Sequence, residues 1–287
     1  MIVIALPTAL ASGVMQINLV VGQLVASQYD KAVSWLFAAD RLYQLPLGVV
    51  GIAVGIVLLP DLSRRLRAGD NDGAQTALSR AAEISLALTI PSAVALMVVP
   101  FALVTVLFQR GASGVDDTAA IATAVMIYGL GLPAFVLQKV LQPLFFARED
   151  TATPVKIAAL CVVINLGLNL LLMGPLLHVG IALATAISAW INAGLLLFVL
   201  RRRGHFKFDD RLRRALPRIL LASAAMTAAV GLATDALAGF AAIGAVTRTV
   251  ALAAVIVIGL AGFAAAAVLF GAARLSDVKG MLDRSSR

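Results

Sequence analysis

The sequence predicts an all-α polytopic membrane protein with eight transmembrane helices. Three observations carry that reading. The 287 residues are 61% hydrophobic and 13% charged, with a mean hydropathy of +0.98, a composition foreign to a water-soluble domain. The apolar residues fall in runs of about 20 or more, the length needed to cross a hydrocarbon core. The basic residues are bunched between those runs, so the net charge of +8 is a topology signal, and no nucleic-acid partner is expected.

The spans run over residues 2–26, 33–59, 82–108, 118–147, 155–174, 177–200, 216–235 and 247–270. The first has Ser12, Gln16, Gln23 and Ser27 in a polar stripe, which either bonds neighbouring helices or lines a wet cavity. It lacks a basic leader and a cleavage signal and is expected to be retained.

The second span ends at Pro60 and the cluster Arg64, Arg65, Arg67, yet carries Asp40 and Arg41 in its middle. At about 1.5 Å per residue Arg41 lies roughly 12 Å deep. A charge there costs at least about 2.5–3.5 kcal/mol unless it faces protein or water. Arg41, Gln44, Gly48, Gly51 and Gly55 recur at intervals of 3, 4, 3 and 4, a single helical stripe with a cationic half and a bare-backbone half. Local pairing of Asp40 with Arg41 is the competing structural reading.

Residues 68–80 are polar and run helically into the third span, where Glu83 is placed to pair with Arg80. The fourth span frames Gln138, Lys139 and Gln142 between Pro133 and Pro143; Lys139 is either a cavity residue or an interface anchor. Cys161, Asn165 and Asn169, at i, i+4 and i+8, read as helix-to-helix bonding. Residues 201–214, RRRGHFKFDDRLRR, form a basic linker suited to anionic headgroups. The last two spans are nearly free of polar groups and suit an apolar face or groove.

Catalytic and metal chemistry find no foothold. His178 and His205 have no partner at ligand spacing, the single Cys161 excludes an internal disulfide, and P-loop, zinc-protease and nucleophile motifs are absent. Asp116–Asp117 and Asp209–Asp210 read as solvated loop pairs. Neither an enzyme nor a cofactor is expected.

Four stretches together resemble the MurJ/MviN family of lipid II flippases, in the superfamily that includes the MATE exporters. They are QINLVVGQLVAS from Gln16, ADRLYQLPLGVVGIAVGIVLLPDLSR from Ala39, LFQRGAS from Leu107 and QKVLQPLFFAREDTATPVKIA from Gln138. The resemblance implies half of a MATE-like two-lobe transporter plus two extra helices: a second six-helix transport lobe at 1–200, a basic cytoplasmic linker at 201–215, a two-helix apolar groove at 216–270 and a cytoplasmic tail at 271–287. It implies a missing first lobe, supplied by a separate polypeptide or a homodimer, without which the chain is expected to be inactive. The substrate implied is lipid II, a lipid-linked pyrophosphate, with membrane lipids as further partners. Arg41 takes the place of the family's cavity arginine, and a guanidinium fork suits a pyrophosphate. Asp40, Gln44, Gln16, Gln23, Lys139, Gln138 and Gln142 complete the candidate substrate site. A non-transporting scaffold or truncated product, and a MATE-type exporter lobe, are the alternatives.

Of the 23 lysines and arginines, 18 fall in residues 61–81, 148–156, 201–218 and 271–287. This places those segments on the cytoplasmic side of a bacterial inner membrane, with both termini inside. Cysteine substitutions at Ser113 and Gly239 are expected to label in intact cells, and one at Ala68 only after permeabilisation. Labelling of Ala68 in intact cells contradicts this topology.

Overall fold

The computed structural model describes residues 22–24, 26–53, 57–109, 114–206 and 209–271. These residues form eight helices: α1 (Ala32–Ala53), α2 (Leu59–Arg67), α3 (Asn71–Val98), α4 (Pro100–Phe108), α5 (Val115–Ala147), α6 (Ala152–Arg202), α7 (Asp210–Ala241) and α8 (Ala245–Leu269). Five of them, α3, α5, α6, α7 and α8, are long and apolar enough to cross a membrane. The expectation of eight separate spans is therefore corrected, for identifiable reasons. The expected first span lies almost entirely outside the described residues. The expected span 33–59 is the 22-residue α1, diluted by Asp40, Arg41 and Gln44. Pro100 cannot continue the α3 hydrogen-bond ladder, so Val99 leaves helical geometry (φ −122°, ψ 37°) and α4 starts afresh. The expected fifth and sixth spans join as one 51-residue element. Polar run-ins also extend the helices: α3 begins at Asn71, capped by the Asp70 carboxylate on the Gly73 N–H at 2.8 Å.

At the break in α6, a chain reversal takes one residue. Leu177 alone leaves the helical region (φ 52°, ψ −133°), just after Gly174 and Pro175. The two halves then fold against each other. A Cβ on Gly180 would stand 2.3 Å from the Leu172 carbonyl oxygen, so hydrogen is the one side chain this turn admits.

Helix α5 is the central post and packs against α1, α3, α4 and α6. Small residues let it approach closely: a Cβ on Gly131 would lie 3.1 Å from that of Ala186, and one on Gly129 3.1 Å from the Ala93 carbonyl oxygen. Two apolar clusters gather around it. One holds Leu36, Leu42, Val125, Leu132 and Ile181; the other holds Leu62, Leu78, Val140, Phe145, Leu196 and Leu200. Helices α7 and α8 pair with each other, and α7 docks on α3 through Ile219 and Ala215 against Leu86 and Ile90. Large apolar side chains such as Leu171, Val163, Leu232 and Leu269 stay exposed, as a lipid-facing surface requires.

Polar networks pin both ends of the bundle. At one end Arg203 pairs with Asp150 and donates to Thr153 Oγ1, Arg148 donates to Asn71, and Gln75 donates to the Gly204 carbonyl. Burial pushes the Asp150 carboxyl up, but the bonds from Thr153 and Arg203 and the Arg203 charge together hold it below the usual carboxylate range. Glu83 accepts from Arg211 at 2.7 Å, in place of the expected Arg80 pairing; the cross-helix partner ties α7 to α3. At the other end Asp117, read as a solvated loop acid, accepts from Trp35 Nε1 at 2.9 Å and from the Gly114 N–H at 3.1 Å, and pairs with Lys31. His178 packs edge-on to Trp35 and bonds the Ala120 carbonyl.

Gly180→Ala is expected to lower the thermal unfolding midpoint in detergent, through overpacking worth about 1–3 kcal/mol. Gly174→Ala should leave it unchanged or raised, because nothing lies within 4 Å of that position. Equal midpoints for the two variants would contradict the hairpin geometry.

Candidate functional site: a polar cavity among α1, α5 and α6

Between the two apolar clusters the bundle holds an open-sided cavity of about 450 Å³, within the range of small-molecule sites. Helix α1 contributes Leu36, Phe37, Asp40, Tyr43, Gln44 and Leu47; α5 contributes Tyr128, Phe135, Gln138, Lys139 and Gln142. The α6 hairpin contributes Cys161 and Asn165 from its first half and Thr185, Ser188 and Asn192 from its second. Gln23, ahead of α1, also lines it.

The inward stripe of α1 is Leu36, Asp40, Tyr43 and Leu47, at helical spacing, and this decides between the neighbouring charges. Consecutive residues on a helix point about 100° apart. Asp40 turns into the cavity, hydrogen-bonded by Gln44, and Arg41 turns away to an exposed edge. There its guanidinium sits 4.6 Å from the centroid of the Phe37 ring, a cation–π contact, and Phe37 itself lines the cavity. Arg41 is thus a rim residue. No ion pair joins Asp40 and Arg41 among the described residues, whose closest oppositely charged contacts lie elsewhere.

Of the glycine stripe, Gly48 is exposed with open space around it, and Gly51 meets α5. A Cβ on Gly51 would lie 3.1 Å from Lys139 Cδ and 3.7 Å from its Nζ, so the missing side chain is the path along which Lys139 runs. Gly55 and Gln16 lie outside the described residues. Gln138 donates to the Ala189 carbonyl at 2.9 Å, locking α5 to the second half of α6. The site residues Asp40, Gln44, Gln23, Lys139, Gln138 and Gln142 are therefore brought together, with Arg41 at their edge.

The residue spacing alone did not identify the aromatic wall. Tyr43 stacks on Phe135 with centroids 5.3 Å apart and meets Tyr128 at 5.0 Å. The α6 amides were read as glue between helices; their i, i+4, i+8 spacing was the available signal. Among the described residues no group of acidic, histidine or cysteine side chains is arranged to hold a metal ion.

A protein-family model described as lipid II flippase MurJ matches residues 1–251. The probable lipid II flippase MurJ of Rhizobium tropici is 47% identical over 226 residues, covering 79% of this chain and 42% of that protein. Its counterpart in Rhizobium meliloti (strain 1021) is 43% identical over 288 residues, covering 100% of this chain and 54% of the relative. A solved lipid II flippase MurJ in an inward closed conformation superposes on 92% of this chain and 53% of its own length, with a TM-score of 0.76 and 26% identity. A MATE structure superposes with a TM-score of 0.62 at 16% identity, a likeness of fold. The chain spans about half the length of the curated relatives it matches.

These matches overturn the reading of the chain as a carboxy-terminal lobe alone. The similarity runs along the chain as a whole, from residue 1 through 251 in the family model and over its full length in one relative. This whole-chain match corrects the readings of the chain as half of a two-lobe transporter whose first lobe is missing and as an inactive carboxy-terminal portion. What matches is a transporter family rather than an enzyme family, multi-pass in the inner membrane, with lipids as its partners. The polar cavity, the apolar exterior and the family match together lead to one conclusion: the chain belongs to the lipid II flippase MurJ family.

Proposed function

We propose that this chain moves a lipid-linked pyrophosphate, lipid II, across the membrane, with its polar head in the α1–α5–α6 cavity. The observation that carries this reading is the cavity itself: a pocket of amides, one carboxylate and one ammonium inside a bundle whose exterior is apolar. Such groups are expensive within a membrane and are kept where a polar ligand passes.

Lys139 supplies a positive charge inside the cavity, and Gly51 keeps its route clear. Arg41, at the rim, offers the planar fork that pairs with phosphate oxygens. Its contact with Phe37 holds it where a pyrophosphate would enter beside the headgroup. Gln44, Gln23, Gln138 and Gln142 give neutral hydrogen bonds, and Asp40 serves a positively charged or hydroxyl-bearing part of the head. Gln16, on the expected first span, belongs to the same proposed site. The apolar pair α7–α8 provides a surface for the polyprenyl tail, joined to the transport bundle of residues 1–200 by the linker at 201–215. The basic ends of the bundle face the cytoplasm, as do both termini.

The exposed face of α1 has a consequence for partners. Arg41 lies among the exposed Phe37, Leu45 and Val49, and a cation there is not left to lipid. A second copy of the chain is the partner that covers this face.

Binding of fluorescent lipid II to the chain in nanodiscs tests the reading. Lys139→Gln and Arg41→Ala are each expected to weaken binding about tenfold or more, the effect of losing a charge-assisted hydrogen bond. Arg41→Lys should recover little, because an ammonium does not reproduce the paired bonds. Unchanged affinity in all three variants, at equal monodispersity, refutes the proposal.

A further inference from the structure

The α6 hairpin carries polar groups that the protein leaves unmatched. Asn169 donates to Asn165 Oδ1 at 3.0 Å, one turn apart on the same helix. Asn165 Nδ2 and Asn169 Oδ1 have no hydrogen-bond partner, nor does Ser188 Oγ. Asn165 is 2% exposed and Asn169 0%, so bulk water does not satisfy them. A buried polar group left unmade costs about 1–3 kcal/mol, and two of these atoms, Asn165 Nδ2 and Ser188 Oγ, belong to residues that line the cavity, where a ligand can reach them.

Their arrangement defines its chemistry. Asn192 reaches the Cys161 thiol across the hairpin and sets the register of the two halves. Asn165, one turn on from Cys161, is therefore level with Ser188, one turn back from Asn192. Asn165, Ser188, Asn192 and Cys161 all line the cavity. If both asparagine amides are turned over, the bond between them reverses, and the pair still leaves one donor and one acceptor free. No side-chain charge belongs to this group. The remaining requirement is a neutral ligand that accepts and donates side by side, with a hydroxyl close at hand.

We infer that Asn165, held in place by the bond from Asn169, forms with Ser188 a subsite for a secondary amide of the transported headgroup. A secondary amide presents one carbonyl and one N–H, the complement of the free Asn165 amide N–H and the Ser188 hydroxyl oxygen. N-acetylated sugars and peptides both carry it. The inference rests on the proposed headgroup cavity and separates its neutral recognition on α6 from the ionic recognition by Lys139 and Arg41.

Saturation-transfer NMR on the full chain in detergent micelles provides the test, with N,N′-diacetylchitobiose, N-acetyl-alanyl-alanine and cellobiose as probes. The amide probes are expected to receive saturation at their methyl groups, and cellobiose to receive none. Asn165→Leu should weaken amide binding about tenfold, the loss of a hydrogen bond in a dry site. Ser188→Ala, a smaller lesion, should weaken it in the same direction and decides the matter if Asn165→Leu does not fold. Binding of the chitobiose alone assigns the amide to a sugar, binding of the peptide alone assigns it to a peptide, and binding of both leaves the shared chemistry standing. Equal binding of cellobiose, no binding of either amide probe, or unchanged affinity in the folded variants overturns the inference. Failure here leaves the Lys139 and Arg41 reading intact, because that reading is measured by binding of the pyrophosphate lipid.

Discussion

The reversal of α6 is the constraint on which the rest of the cavity depends. The turn lies at the end of the bundle that holds Trp35 and Asp117, where His178 packs on Trp35 and bonds the Ala120 carbonyl. Here it takes Leu177 alone out of helical geometry, and Gly180 lets the returning helix pass the Leu172 carbonyl. That close return sets Cys161 opposite Asn192 and brings both halves to the cavity. The same return gives α5 a small-residue surface to lie against, through Ala186 and Ala189. A side chain at Gly180 would spread the halves and shift every polar group on them.

Around that hairpin, polarity is divided by location. The two ends of the bundle hold ion-paired networks, Asp150 with Arg203 and Thr153 at one and Asp117 with Trp35 and Lys31 at the other. These tie loops to helices and leave carboxylates with partners. The middle holds the opposite condition, with amide and hydroxyl atoms unmatched and a carboxylate bonded only to neutral neighbours among the described residues. Ion-paired ends with a polar cavity between them suit a passage for a polar group, and the surrounding exposed leucines and valines suit a lipid boundary. Family membership accords with both, since the flippase family match covers the residues that build the hairpin and the cavity.

The sequence by itself determined the membrane class, the all-helical fold, the family and which polar residues interrupt the apolar helices. Apolar runs with no soluble alternative identify spans because lipid admits few structures. Asp40, Gln44, Lys139, Gln138 and Gln142 were legible because a polar residue in such a run has so few places to go. Tertiary structure decided what periodicity does not encode. One residue of rotation sends Asp40 inward and Arg41 to the rim, and which of two adjacent charges faces a neighbour depends on where α5 and α6 stand. The five long apolar helices fall short of the eight expected spans because the first span lies outside the described residues, Asp40, Arg41 and Gln44 dilute α1, and the fifth and sixth spans meet at Leu177 with no loop between them, a turn that a hydropathy profile does not register. The asparagines of α6 looked like glue because their spacing marks one face of a helix; that this face meets a cavity, and leaves their amides unmatched, follows from the packing of three helices far apart in the chain.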